Sequence, residues 1–309
     1  MSARARDRAR RVVVRPYECG RPSPPNPPAH LNETLYMPVT FITGCSSGFG
    51  KSLALEALSR GHHVVATARD VATLASLREA HPESCTIEQL DVTDARQCED
   101  VVARVIAERG IDVLINNAGR GMLASVEESD EAAARANFEV NFFAPLRLSR
   151  LVIPQMRERG SGAIVMMSAA AAINNYAGFG VYGASKCALE GLAESLKAEV
   201  TAFGVKVMIV QPGPFRTEFI SKGDMSRGRG ATYAQSVGRF AALLAGMPGK
   251  QPGDPARAAS AMLDAIAAEN TPLRLVLGKY AVNKQKTKIN ATSTELAAWE
   301  SVSAGTDGR

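Results

Sequence analysis

Short apolar runs rich in β-branched residues alternate with longer amphipathic segments from Met37 to about residue 280. The runs predict strands at 39–43, 63–68, 85–90, 111–115, 162–168, 205–210 and 273–277. The longer segments predict helices at 49–60, 71–80, 94–109, 130–158, 181–203 and 254–268. Repeated β–α alternation requires right-handed crossovers and a parallel sheet. We therefore expect a single doubly wound α/β domain at 37–280, with helices on both faces of its sheet.

Residues 1–36 have a different composition from this domain. Arginines crowd the first fifteen residues against one acid, Asp7, and the stretch RPSPPNPPAH follows. Such a composition cannot bury a core, so we expect a disordered extension, with Met37 as a possible true start of the protein. Without these residues the chain is close to neutral, which argues against nucleic acid as a partner. At the other end, residues 281–309 are expected to form a C-terminal helix and tail.

Cysteine and histidine usage limits the classes of site. The five cysteines are scattered without a Cys-x-x-Cys pair, which favours reduced thiols in the cytoplasm over a disulfide framework or a zinc site. The four histidines form no ligand spacing, so no metal is expected. No apolar stretch approaches the ~18 residues that a membrane span needs, so no membrane partner is expected.

A glycine loop, TGCSSGFG at 43–50, joins the first strand to the first helix and ends in Gly-Lys-Ser like an NTPase P-loop. However, five residues separate Gly44 from Gly50, and the position that a P-loop reserves for its first glycine is Cys45. The spacing of Gly44, Gly48 and Gly50 instead suits a tight turn and a close backbone approach to a pyrophosphate. The loop therefore predicts a dinucleotide site rather than NTP hydrolysis.

Arg69 stands at the end of the second predicted strand, where an acid in dinucleotide folds binds the adenosine ribose of NAD. A guanidinium at this place can grip a 2′-phosphate through a planar fork, which favours NADP(H). The alternative is a solvated surface arginine, which the adjacent Asp70 also allows.

Six ordered motifs resemble the short-chain dehydrogenase/reductase family. They are TGCSSGFG at 43–50, LDVT at 90–93, NNAG at 116–119, Asn141 in VNFFAP, YGASK at 182–186 and PGPFRT at 212–217. The likeness extends over residues 37 to 280 and is nearest to NADP-type carbonyl reductases and alcohol dehydrogenases. It implies a Rossmann-type fold that binds NADP(H) and a small carbonyl or alcohol substrate, in a homodimer or homotetramer.

The resemblance also implies catalytic roles. Tyr182 and Lys186 are four residues apart on a predicted helix and so share a face. A nearby ammonium favours the phenolate, so Tyr182 can exchange a proton with the substrate oxygen. By the resemblance, Lys186 also holds the nicotinamide ribose, and Asn141 supports a water that links Lys186 to solvent.

Two positions are open for the serine that binds the substrate in this family. It typically lies thirteen residues before the tyrosine, which here is Ala169, whereas Ser168 is one step earlier. On a strand one step reverses the side-chain direction. Either an extra loop residue brings Ser168 to the substrate, or Asn174, Asn175 or a water replaces it.

The remaining cofactor contacts are implied by the same resemblance. They are the loop residues Gly44, Ser46, Ser47, Gly48, Phe49 and Gly50, then Asp91 and Val92 beside the adenine, Asn117, Ala118 and Gly119 at the sheet edge, and Pro212, Gly213 and Thr217 near the nicotinamide. The asparagines of NNAG have an alternative role, which is to stabilise the central strand and its turn.

A long segment at 216–253 is predicted to be a lid over the site. Its apolar residues Phe219, Met225, Tyr233, Phe240 and Leu244 either line a pocket or pack the lid's own helices, whereas Tyr176 and Phe179 are candidates to touch substrate. The sequence thus predicts an NADP(H)-dependent oxidoreductase that interconverts a carbonyl and a secondary alcohol. The alternative is an NADP(H)-binding regulatory or scaffold protein without turnover.

Overall fold

The computed structural model describes residues 37–223 and 231–308. The predicted extension at 1–36 and the lid residue Met225 lie outside these residues. Within them, seven strands form one parallel sheet in the order β3-β2-β1-β4-β5-β6-β7. The strands are β1 Val39–Ile42, β2 His63–Ala68, β3 Cys85–Gln89, β4 Val113–Asn116, β5 Gly162–Met167, β6 Val205–Pro212 and β7 Arg274–Leu277. This confirms the predicted doubly wound fold.

The helices cover both faces of the sheet. They are α1 Gly48–Ser59, α2 Ala75–Ala80, α3 Ala95–Glu108, α4 Glu131–Phe138, α5 Ala144–Arg159, α6 Ala170–Ile173, α7 Gly180–Val200, α8 Phe219–Lys222, α9 Arg239–Ala245, α10 Pro255–Ala267 and α11 Lys279–Ala304. Helices α1 and α10 pack over one face, and α3, α5 and α7 over the other. Because both faces are covered, the strands are almost continuously apolar, as in β1 and β4, where every residue is buried.

Several helices differ in detail from the prediction. The predicted helix at 130–158 is divided into α4 and α5 by a π-helical turn at Glu139–Phe143. Gly160 ends α5 in the left-handed conformation (φ 69°), as its C-cap role predicts. Helix α11 begins two residues earlier than the predicted boundary at 281. No helix within the described ranges is long and apolar enough to cross a membrane.

The strand order reverses between β1 and β4. Strands β2 and β3 extend the sheet on one side of β1, and β4 to β7 extend it on the other. In open parallel sheets, ligands bind in the crevice at the carboxyl ends of the strands beside such a reversal. The glycine loop follows β1 and the NNAG turn follows β4, so the fold brings these two motifs to the same crevice.

Candidate active site

A cavity of about 1260 Å³ runs along the carboxyl edge of the sheet. It is lined by nearly every residue that the sequence nominated: Gly44, Ser46, Ser47, Gly48, Phe49, Arg69, Asp91, Val92, Asn117, Ala118, Gly119, Ser168, Tyr182, Lys186, Pro212, Gly213 and Thr217. Of the predicted cofactor-binding and catalytic residues, Gly50 and Asn141 are outside this lining, and both are buried. One cavity therefore joins the predicted cofactor loop to the predicted catalytic pair.

The glycine loop has a backbone that side chains would obstruct. Gly44 and Gly48 have φ angles of 72° and 56°, which L side chains rarely adopt. A Cβ on Gly50 would lie 2.2 Å from the carbonyl oxygen of Gly44 and 2.6 Å from Nδ2 of Asn117. These positions therefore favour glycine. The first residues of α1, Gly48 and Phe49, line the cavity, and a helix N-terminus is a favourable place for a phosphate.

Asn117 and Thr43 hold this loop against the β4 turn. Nδ2 of Asn117 donates to the carbonyl oxygens of Thr43 and Gly44 at 2.8 and 3.1 Å. Oγ1 of Thr43 accepts from the backbone amides of Asn117 and Ala118 at 3.0 and 2.9 Å. The Asn117 side chain thus has the structural role that the sequence left open, while its backbone remains on the cavity wall.

Arg69 lies at the end of β2 on the cavity wall and is exposed. Its neighbour Asp70 is turned away to the following turn, where it accepts from the amide of Ala72 at 3.0 Å. The guanidinium of Arg69 forms no ion pair with any carboxylate in the described part of the chain. Asp70 therefore does not occupy the Arg69 guanidinium in this structure.

Tyr182 and Lys186 lie on successive turns of α7 and are both 4% exposed. Burial raises the pKa of Tyr182, so the phenol is protonated near neutral pH. Burial also lowers the pKa of Lys186 to about 8, and the carboxylate of Glu190 opposes that shift. Nζ of Lys186 donates to the carbonyl oxygen of Met167 at 2.8 Å, which ties this side chain to the end of β5.

Asn141 sits in the π-helical turn between α4 and α5 and is fully buried. Its Nδ2 donates to the backbone carbonyl oxygen of Arg120 at 2.9 Å and to Oγ of Ser185 at 3.1 Å. Its Oδ1 accepts from the amide of Arg120 at 2.9 Å. A Cβ built on Gly119 would lie 3.3 Å from this Oδ1 and 3.4 Å from Nζ of Lys186, so the side-chain-free Gly119 separates the two groups.

Ser168 and Ala169 point in different directions at the end of β5. Oγ of Ser168 donates to Oε1 of Glu190 at 2.5 Å, inside the layer between β5 and α7. Ala169 instead belongs to the apolar cluster that contains Tyr182 and Phe179. The serine lies on the cavity wall, but its hydroxyl is engaged by Glu190, and the side chain next to the tyrosine is a methyl group.

The substrate side of the cavity is mainly aromatic. Phe179 meets Tyr182 edge-on at 5.1 Å between ring centroids, and Phe219 lies 5.5 Å from Tyr182. Of the lid candidates, Phe219, Phe240 and Leu244 line the cavity, whereas Tyr233 packs in the cluster behind it and donates to Glu127. Nδ2 of Asn175 donates to the backbone carbonyl oxygen of Phe179 at 3.0 Å, so this amide is used in the turn before α7.

Sequence reasoning missed three residues near the site. Glu190 follows Lys186 by one helical turn, a spacing that could have drawn attention to it. Tyr280 lines the cavity from α11, and Lys284 lies beside it, although nothing in the sequence connects α11 to the site. In the part of the chain that the structure describes, no group of three or more potential metal ligands is present.

Comparisons with known proteins show which sequences and structures this chain is similar to. The pattern of the family described as short chain dehydrogenase matches residues 38–226. A short-chain dehydrogenase from Streptomyces avermitilis is 43% identical with a TM-score of 0.82, over 88% of this chain and 100% of that one. An oxidoreductase from Botryotinia fuckeliana is 32% identical over 86% of this chain and 97% of its own. A short chain dehydrogenase from Burkholderia cenocepacia in complex with NADP is 25% identical with a TM-score of 0.67, over 85% and 97% of the two chains.

Proposed function

Because this chain belongs to the short-chain dehydrogenase/reductase family, we propose that it is an NADP(H)-dependent oxidoreductase that interconverts a carbonyl and a secondary alcohol. The observation that carries this proposal is the position of Tyr182 and Lys186, both buried and on the wall of the same cavity as the glycine loop. This arrangement brings a proton donor to the place where a dinucleotide bound at the loop would present its reactive end.

The residues that would hold the cofactor follow the cavity wall. The backbone of Gly44, Gly48 and the start of α1 suits the pyrophosphate, and Asp91 and Val92, also on the cavity wall, would flank the adenine. Pro212, Gly213 and Thr217 would border the nicotinamide. A nicotinamide cofactor, when bound, supplies or accepts the hydride.

Tyr182 would act as the general acid or base. In reduction its hydroxyl donates a proton to the carbonyl oxygen as that carbon receives the hydride, and in oxidation the phenolate takes the proton back. The ammonium of Lys186 stabilises the phenolate, and burial makes this attraction stronger than it would be in water. Asn141 and Lys186 face each other across Gly119, where a water could return the proton to solvent.

The preference for NADP(H) is proposed from Arg69. Its guanidinium is free of ion pairs with described carboxylates, and Asp70 caps a turn instead of competing for it. The guanidinium of Arg69 could therefore donate two parallel hydrogen bonds to a 2′-phosphate at the end of β2. The NADP complex of the Burkholderia cenocepacia relative supports the same choice.

A regulatory protein that binds NADP(H) without turnover is the second candidate. One observation favours it, because Ala169 places a methyl group where the family's substrate-binding serine would be. In that case the cavity would report the NADP(H) level through a conformational change rather than reduce a substrate.

One experiment separates the two candidates. Purified protein is mixed with NADPH and a panel of ketones and aldehydes, and oxidation is followed by the loss of NADPH absorbance. The expected result is turnover with at least one substrate, abolished in Tyr182→Phe while NADPH binding is retained. NADPH binding without turnover across the panel would favour the regulatory protein, and failure to bind any nicotinamide cofactor would overturn both.

A further inference from the structure

A second polar group of side chains lies at the substrate end of the cavity. Tyr176 precedes α7, and Tyr280 and Lys284 stand on the first turns of α11. The hydroxyls of Tyr176 and Tyr280 are 2.9 Å apart, and Nζ of Lys284 lies over the Tyr176 ring, 3.2 Å from its centroid. Both tyrosines line the cavity. We call these three residues the distal cluster.

Aromatic contacts connect the distal cluster to the catalytic tyrosine. Phe179 packs edge-on against Tyr182 on one side and against Tyr176 on the other, with centroid distances of 5.1 and 6.0 Å. Phe240 of α9 stacks on Tyr176 at 4.9 Å and 9°. A substrate whose carbonyl meets Tyr182 would therefore lie along an apolar wall and end at the distal cluster.

Lys284 supplies the positive charge of the distal cluster, behind the Tyr176 ring that lines the cavity. Lys284 is partly buried, and burial lowers its pKa to about 8. No carboxylate among residues 37–223 and 231–308 forms an ion pair with it. Helix α11 adds the positive end of its dipole and the further cations Lys279, Lys286 and Lys288, and its first acid is Glu295.

We propose that Tyr176, Tyr280 and Lys284 bind a carboxylate on the substrate, at the end opposite to its reacting carbonyl. The substrate class is then a keto acid, or the matching hydroxy acid, with an apolar and preferably aromatic body between its two polar ends. This inference rests on the proposed function.

The chemistry of the distal cluster favours an anion over a neutral acceptor. A carboxylate has two oxygens, which can accept from the two phenol hydroxyls and attract the ammonium. A neutral hydroxyl or ester could satisfy the phenols, but it would displace water from the ammonium without supplying a charge to compensate. A matched pair of substrates that differ only in this charge therefore tests the idea.

The probes are para-acetylbenzoate and the longer para-acetylcinnamate, each compared with its methyl ester. Their binding to the NADPH complex is measured by calorimetry, and their reduction by NADPH absorbance. We expect at least one acid to bind about tenfold or more tightly than its ester. Lys284→Gln and Tyr280→Phe should each reduce this acid-to-ester ratio several-fold, whereas Lys288→Gln, one turn further along the exposed side of α11, should leave it unchanged.

The outcomes distinguish this inference from the proposed function. If acids and esters bind equally in the wild-type complex, or if Lys284→Gln and Lys288→Gln lower the ratio alike, the distal cluster is not a carboxylate site. The reductase proposal survives that result as long as the ketones are reduced. If acids bind selectively through Lys284 but nothing is reduced, the carboxylate site stands and the reductase proposal fails.

Discussion

The hydroxyl of Ser168 donates a 2.5 Å hydrogen bond to the carboxylate of Glu190, which lies on α7 one turn beyond Lys186. Gln211 donates to both oxygens of the same carboxylate at 2.9 Å. The buried carboxylate of Glu190 is thus held between the end of β5, β6 and α7. The hydrogen bond therefore connects the end of β5 to the carboxylate that raises the pKa of Lys186. It also underlies the effects expected for substitutions at positions 168 and 169.

Ser168→Ala should affect stability more than catalysis. It removes one donor from a buried carboxylate, which should lower the free energy of unfolding by about 1–3 kcal/mol. We expect turnover to change by no more than about threefold, because the hydroxyl already donates its proton to Glu190. Denaturant unfolding and steady-state kinetics on the same sample test this. A loss of roughly 10²-fold in turnover with unchanged stability would instead assign Ser168 to the substrate oxygen.

Ala169→Ser should raise turnover. The new hydroxyl would stand in the cluster with Tyr182 and could donate to the developing oxyanion, an interaction worth about 10²-fold elsewhere when well aligned. Because the surrounding cavity was not shaped for it, we expect a gain of about tenfold, measured as kcat with the best ketone. Ala171→Ser, in the same cluster, is the matched control and should give no gain.

Arg69→Asp should reverse the cofactor preference. Losing the charge-assisted fork should weaken NADPH binding by roughly 2–3 kcal/mol and leave NADH binding unchanged or improved. Fluorescence titration with each cofactor measures this directly. Arg78→Asp, an exposed arginine on α2, controls for the change in net charge. Equal losses of affinity for NADPH and NADH would show that Arg69 does not determine the cofactor preference.

Glu190→Gln should shift the pH dependence of reduction. Burial lowers the pKa of Lys186 to about 8, and the negative charge of Glu190 raises it. Activity should therefore fall as pH rises through the lysine pKa, and removing the carboxylate should move this alkaline limb to lower pH. The profile of kcat/KM measures the shift. Glu199→Gln, at the exposed end of α7, should leave the limb in place. A merely destabilising effect of Glu190→Gln would lower activity at every pH alike.

Gly50→Ala should disrupt the cofactor loop. The added Cβ would lie 2.2 Å from the Gly44 carbonyl oxygen, so the backbone of the loop must move. We expect a loss of about 1–3 kcal/mol in unfolding free energy and weaker NADPH binding. Gly191→Ala on α7 is the control, since no atom lies within 4 Å of its added Cβ, and it should be neutral or stabilising by up to about 1 kcal/mol. Similar melting temperatures for the two variants would contradict this account.

Features that depend on local geometry could be predicted from the sequence. Period and β-branched content predicted the strands, and β2 at His63–Ala68 has the bounds that were predicted from its pattern. The glycine loop could be interpreted because positive φ angles and close approaches restrict those positions to glycine whatever packs around them. Tyr182 and Lys186 could be paired because a spacing of four residues on a helix places two side chains on one face.

Features that depend on contacts between distant parts of the chain became visible only in the folded protein. The direction of Ser168 follows from the packing of β5 against α7, because Glu190 receives its hydroxyl across that interface. The π-helical turn that holds Asn141 was hidden inside one continuous amphipathic pattern. The hydroxyl contact between Tyr176 and Tyr280 joins residues 104 positions apart, and no local periodicity relates them. Side-chain proximity across elements is set by the packing of the whole sheet and its helices, so the substrate end of the cavity could not be derived from neighbours in sequence.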